Sequence, residues 1–165
     1  MRANDFIERE KVKGLHVTVE VPATRLVYIL GVDPGTKTGF AVYDKEGKEL
    51  TIVCTLQIHE AFDAVRKINA VAKNCSFKIF VRVEDARKRK WFGNGANAKQ
   101  QGAGAIKIQC KQWEEFLKAE SISYQMVAPA QIKTKMDAKK FKMITGWTSR
   151  TSNHGRDAAM MVYGL

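Results

Sequence analysis

Several features that would place this chain outside the cell or in a membrane are missing. It has three cysteines, Cys54, Cys75 and Cys110, far apart and with no C-x-x-C pair. Zinc-finger spacing is therefore absent, and an odd, scattered set fits reduced thiols inside a cell. No run approaches the roughly 18 apolar residues that a membrane helix needs. Met1-Arg2-Ala3-Asn4-Asp5 leads into no apolar stretch of the signal-peptide kind. Neither an internal repeat nor a low-complexity segment interrupts the chain. The expectation is a soluble, cytoplasmic protein with no membrane contact. Acidic residues are scarce as well: 17 Asp and Glu stand against 28 Lys and Arg, for a net charge of +11 and a pI near 9.7. That balance predicts a nucleic-acid partner, because each neutralised phosphate releases condensed counterions. Net charge speaks to partners and not to fold.

What is present reads as one domain, with 165 residues, 45% of them apolar. Residues 1–25 are set apart as an N-terminal extension: a charged arm, then the alternating LHVTVEV at 15–21, a strand ended by Pro22 and suited to a sheet edge or a dimer contact. The organised domain spans 26–165. Residues 26–32 (LVYILGV) form an apolar run of the kind expected for a strand buried on both faces. The turn-forming Asp33-Pro34-Gly35-Thr36-Lys37 follows, then strands over 38–43 and 49–57, giving an antiparallel meander. From His59 to Asn74 the apolar residues take helical spacing. Residues 77–83 return to strand character, 85–97 form a polar basic loop, and 98–120 support a long helix that Gly102 and Gly104 weaken at its start. Another strand is predicted over 122–127, a Lys-rich segment from Pro129, and a last helix over 156–163. This order predicts an α/β fold with a central mixed five-stranded sheet, three antiparallel strands and then two parallel, flanked by helices.

Four side chains fall where chemistry is expected. Asp33 ends the first buried strand, Glu84 ends the fourth, and His154 and Asp157 sit three apart at the start of the last helix, so they share a face. If the two strands are neighbours, three carboxylates and an imidazole converge. Such a cluster repels itself without a cation, and oxygen-rich ligands suit Mg²⁺ or Mn²⁺. Taken singly, each has an ordinary reading as a turn residue, a solvated strand end or a helix cap. Asp157 is the hardest to dismiss, because Ala158, Ala159, Met160 and Met161 mark buried surroundings in which an unpaired carboxylate is costly. Immediately after Glu84 comes Ala86-Arg87-Lys88-Arg89-Lys90-Trp91-Phe92-Gly93-Asn94. Four consecutive cations followed by two aromatics suit phosphates and an unpaired base; the alternative is that Trp91 and Phe92 anchor the loop to the core.

These residues carry a family resemblance. Residues 29–43 (ILGVDPGTKTGFAVY), 81–85 (VRVED), 100–108 (QQGAGAIKI), 127–133 (VAPAQIK) and 154–163 (HGRDAAMMVY) resemble, in order, five motifs of the RuvC-type Holliday-junction resolvases. The resemblance covers about residues 26–164 and implies a ribonuclease H-like fold. It also implies that Asp33, Glu84, His154 and Asp157 hold two Mg²⁺ or Mn²⁺ ions, with Lys133 near the scissile phosphate and Lys139 as a second basic residue. Branched DNA, a four-way junction, is the implied substrate, cut as paired nicks by a homodimer with no small-molecule cofactor. The chain departs from the pattern in three places: Arg87 stands where the relatives carry a junction-opening aromatic, residues 133–147 are short, and residues 1–25 have no counterpart. These are the marks of a divergent branch of phage or prophage type.

Other readings share parts of this pattern. The hairpin at Asp33-Pro34-Gly35-Thr36 also resembles the phosphate loop of actin-like ATPases and sugar kinases, but those close two domains around a nucleotide and need at least twice this length. A structure-selective or RNA/DNA-hybrid nuclease would use the same carboxylates. A catalytically silent DNA-binding module would be expected to lack one of them. The helix bearing Ile106, Ile108, Trp113 and Phe116 offers an apolar face for a symmetric dimer or for the core.

Overall fold

The computed structural model describes residues 25–88, 96–129 and 136–165. Among the described residues there are five strands and four helices, three strands coming first and two helices last. The strands are β1 (Arg25–Asp33), β2 (Thr38–Asp44), β3 (Glu49–Leu56), β4 (Phe77–Glu84) and β5 (Tyr124–Val127). The helices are α1 (Ile58–Asn74), α2 (Ala96–Ala119), α3 (Ala138–Thr145) and α4 (Asn153–Met160), with a short 3-10 turn at Ala86–Lys88. The sheet runs β3-β2-β1-β4-β5. β1 pairs antiparallel with β2 and β2 with β3, whereas β4 lies parallel to both β1 and β5. The expected mixed α/β sheet is therefore present. Among the described residues no helix is long and apolar enough to cross a membrane. The expected strand at 15–21 and the rest of the 1–24 extension lie outside the described residues.

Local chemistry explains most boundaries. The Asp44 carboxylate accepts the backbone N–H groups of Glu46 (2.8 Å) and Gly47 (3.1 Å), closing the turn between β2 and β3. Glu60 reaches back to the Gln57 N–H at 2.7 Å and closes the first turn of α1. Two expectations shift. The last helix begins at Asn153 and not at 156, because the Ser152 hydroxyl accepts the Gly155 N–H (2.9 Å) and caps it. Helix α3 was not anticipated: its lysines hide a single buried anchor, Phe141. Its ends are nevertheless conventional, with Asp137 accepting the Lys140 N–H at 2.8 Å and Gly146 leaving the helix at φ 71°.

Strand residues alternate between two cores, as the pleat requires. Leu30, Val32, Phe40, Val42, Val81 and Val83 face α1 and α2, where Val65, Trp113, Phe116 and Leu117 complete the larger cluster. Phe62 meets Trp113 edge-on, ring centroids 4.6 Å apart. Ile29, Ala41 and Tyr43 face the other way, onto Phe141 of α3 and onto Ala158, Ala159 and Val162 in and just after α4. Covering both faces is why β1 reads as an unbroken apolar run. The apolar side of α2 is thus largely core: Trp113 and Phe116 are buried, Ile106 is half-buried and Ile108 is exposed.

Candidate active site at the carboxyl edge of the sheet

β1 and β4 run parallel as neighbours and end together. Their register pairs Val32 with Val83, so the next residues, Asp33 and Glu84, stand side by side at the carboxyl edge. Both lie an even number of residues beyond side chains on the α4 face, Ile29 and Phe80, and so share that face. This edge is where the sheet changes from antiparallel to parallel neighbours, the usual position for ligands in open α/β sheets.

α4 comes down onto the same edge because two strand residues have no side chain. A Cβ added to Gly31 would lie 2.1 Å from the Ala158 carbonyl oxygen, and one added to Gly39 would lie 2.0 Å from that of His154. Gly39 is the β2 partner of Asp33. Close backbone approach is a recognised use of glycine in a strand. The helix is also pinned at its start, where the Thr55 and Ser152 hydroxyls lie 2.5 Å apart. Arg156, buried, binds the carbonyls of Met136 (2.8 Å) and Thr151 (3.0 Å), the Thr151 hydroxyl (3.1 Å) and the Asn153 side chain.

The seated helix brings His154 Nδ1 to 2.7 Å from Asp33 Oδ2. The Asp33 side chain keeps 13% of its exposure and that of His154 keeps 52%. Burial pushes the Asp33 carboxyl above the ordinary Asp range. Hydrogen bonds and charge from His154 oppose that shift, the negative charge of Asp157 adds to it, and a hydrogen bond with Glu84 opposes it. The other three expected residues therefore each act on Asp33. Among the described residues, no three His, Cys, Asp or Glu side chains are arranged as a ready metal cage. Here the Asp33 carboxyl is turned toward His154 and Glu84. The donor set itself, three carboxyls and an imidazole, is chemically suited to a hard divalent cation.

The basic residues divide differently. Arg89, Lys90, Trp91, Phe92 and Lys133 lie outside the described residues. Lys139 is exposed on α3. The Lys88 ammonium donates to the Met126 carbonyl at 2.6 Å. Arg87, expected to contact DNA, forms a fork with Asp85 (Nε–Oδ1 2.7 Å, Nη2–Oδ2 2.9 Å) and reaches Glu114 at 2.7 Å. Its guanidinium is engaged inside the protein because Asp85, 2% exposed, requires a cation.

Gly31, Gly39, Arg156, Asp85 and Glu114 were not among the residues expected at the site. The glycines carried a signal, since glycine inside a strand pattern often marks close backbone approach. The other three carried none, because an acid or arginine in the sequence does not show which neighbour it will pair with, and Glu114 lies 27 residues from Arg87. Compared with known proteins, the chain matches no family model and no curated sequence.

Proposed function

We propose that this protein is a divalent-metal-dependent endonuclease of the ribonuclease H-like fold, a RuvC-type resolvase that cuts four-way DNA junctions by paired, symmetric nicks as a homodimer. The observation that carries this reading is the meeting of Asp33, Glu84, His154 and Asp157 at one carboxyl edge, with His154 2.7 Å from Asp33. The strand order, three antiparallel strands followed by two parallel ones, supports it. So does the excess of 28 basic over 17 acidic residues.

Asp33, Glu84, His154 and Asp157 would hold two Mg²⁺ or Mn²⁺ ions, which supply Lewis-acid activation of water and charge stabilisation at a leaving 3′ oxygen. The chain's own part is to gather and orient the ligands. β1 and β4 fix Asp33 and Glu84 side by side. Gly31 and Gly39 let α4 lie close enough for His154 and Asp157 to face them, and Arg156 holds the start of that helix. Burial of Asp33 keeps bulk water from screening the cluster, which strengthens its attraction for a cation. Lys133, Lys139 and the basic run at Lys88, Arg89 and Lys90 would meet phosphates, and Trp91 or Phe92 would stack on an unpaired base.

The deciding experiment is cleavage of labelled four-way junction, linear duplex and RNA–DNA hybrid, each with Mg²⁺ and with EDTA. Metal-dependent symmetric nicks confined to the junction are expected. Cutting of hybrid or duplex with the junction intact would overturn the substrate. Tight junction binding with no cutting would make the chain a binding module.

A further inference from the structure

Glu84 and Asp85 are consecutive, yet they enter opposite electrostatic settings. Glu84 joins the carboxyl cluster, whereas Asp85 is enclosed by Arg87. The Asp85 N–H donates to the Val127 carbonyl at 2.7 Å, extending the β4–β5 ladder one residue past the strand. Its carboxylate accepts the Arg87 backbone N–H at 3.1 Å as well as the guanidinium fork. Arg87 then carries the connection to α2 through Glu114 Oε2 at 2.7 Å. Glu114 Oε1 receives Lys118 at 3.1 Å. One turn earlier on α2, the buried Cys110 thiol donates to the Glu84 carbonyl at 3.5 Å. The helix thus grips the end of β4 at two points, four residues apart on one face.

We infer that Asp85, Arg87 and Glu114 form a latch that positions Glu84, and that Arg87 is a positioning residue and not a phosphate contact. The inference rests on the reading of Glu84 as part of a metal-holding edge. A strand end supported only by β1 and by the last residue of β5 opens readily. Tying the following turn to a 24-residue helix restrains the last residue of β4. An arginine fork suits this task, because its planar donors fix angle as well as distance.

The test uses the full chain with Glu114→Ala, which removes the helix contact without stripping Asp85 of its cation, and the double variant Asp85→Asn/Arg87→Gln. Three readouts are taken: amide exchange at residues 84–88, Mn²⁺ binding by the protein alone, and the salt dependence of DNA binding. Glu114→Ala should speed exchange at 84–88 and weaken Mn²⁺ binding by roughly tenfold, with the thermal midpoint nearly unchanged. Glu114→Gln, which still accepts from Arg87, should recover most of the loss. Unchanged exchange, or unchanged Mn²⁺ affinity in a chain that binds Mn²⁺, would overturn the latch. A double variant whose slope of log K against log salt falls by about one would make Arg87 a phosphate contact, with the same consequence. A wild-type chain that binds no Mn²⁺ would instead defeat the metal reading of the site, and exchange and salt slope would then judge the latch by themselves.

Discussion

Two carboxyl clusters diverge from consecutive residues at the end of β4, and they are built to opposite rules. On the α4 side, Glu84 stands with Asp33, Asp157 and the His154 imidazole. Burial there pushes the Asp33 carboxyl up. On the α2 side, Asp85 also pays for burial, but the hydrogen bonds and charge of Arg87 more than offset it and hold the carboxyl below its usual range. Acids paired with a cation of the chain itself form structure. Acids gathered at one edge raise one another's affinity for a proton or a cation. The difference separates a fastening from a candidate site across a single peptide bond.

That contrast can be broken from either side. The largest effect is expected from Asp157→Asn, which should lower cleavage by at least about 10³-fold, near 4 kcal/mol in the barrier, while junction binding measured in EDTA stays intact. Unimpaired cleavage would remove Asp157 from the site. Next comes Arg87→Gln, which leaves Asp85 buried without its cation. Denaturant unfolding should register a loss of about 3 kcal/mol, at the lower end for a broken buried pair because the guanidinium is one-third exposed. The double variant with Asp85→Asn should be less damaged than Arg87→Gln alone, and a simple sum of the two losses would contradict the pairing.

Gly39→Ala should cost about 1–3 kcal/mol, since its Cβ would overlap the His154 carbonyl. It should also reduce cleavage more than an equally destabilising substitution in the α1–α2 core, because it lifts α4 off the site. Parallel losses in both would reduce Gly39 to packing.

The smallest effect tests the opposite signs directly. Asp33 has a raised carboxyl, so its contribution to stability is present below the ordinary value of 3.8 and is lost as pH rises through the folded value. Asp85 has a lowered one, so its contribution is present above 3.8 and is lost as pH falls through the folded value. In metal-free buffer at neutral pH, Asp33→Asn should therefore raise the thermal midpoint by a few °C, and Asp85→Asn should lower it. Both differences should shrink in acid, and shifts of the same sign would end the comparison.

Much of this arrangement was legible before any coordinates. The apolar run at 26–32, the change of period after His59 and the return to strand character at 77–83 follow from the spacing of side chains along each element. The four candidate site residues were legible as element ends: a turn after one strand, the end of another, and an i, i+3 pair on a helix. Helix α3 was harder to see because its eight residues bury only Phe141. The role of Arg87 was obscured because a run of cations in sequence is indistinguishable from one shared with a carboxylate 27 residues away on α2.

By itself, then, the sequence determined most of the elements, the order in which those come and the edge at which the acids fall, because hydrophobic period and turn chemistry act between near neighbours. Only the tertiary structure decided which acids would gather at one edge and which would be paired with Arg87. Glu84 and Asp85 differ by the faces they enter, and those faces exist only once β4 lies between β1 and β5, with α4 resting on Gly31 and Gly39 on one side and α2 gripping the strand end on the other.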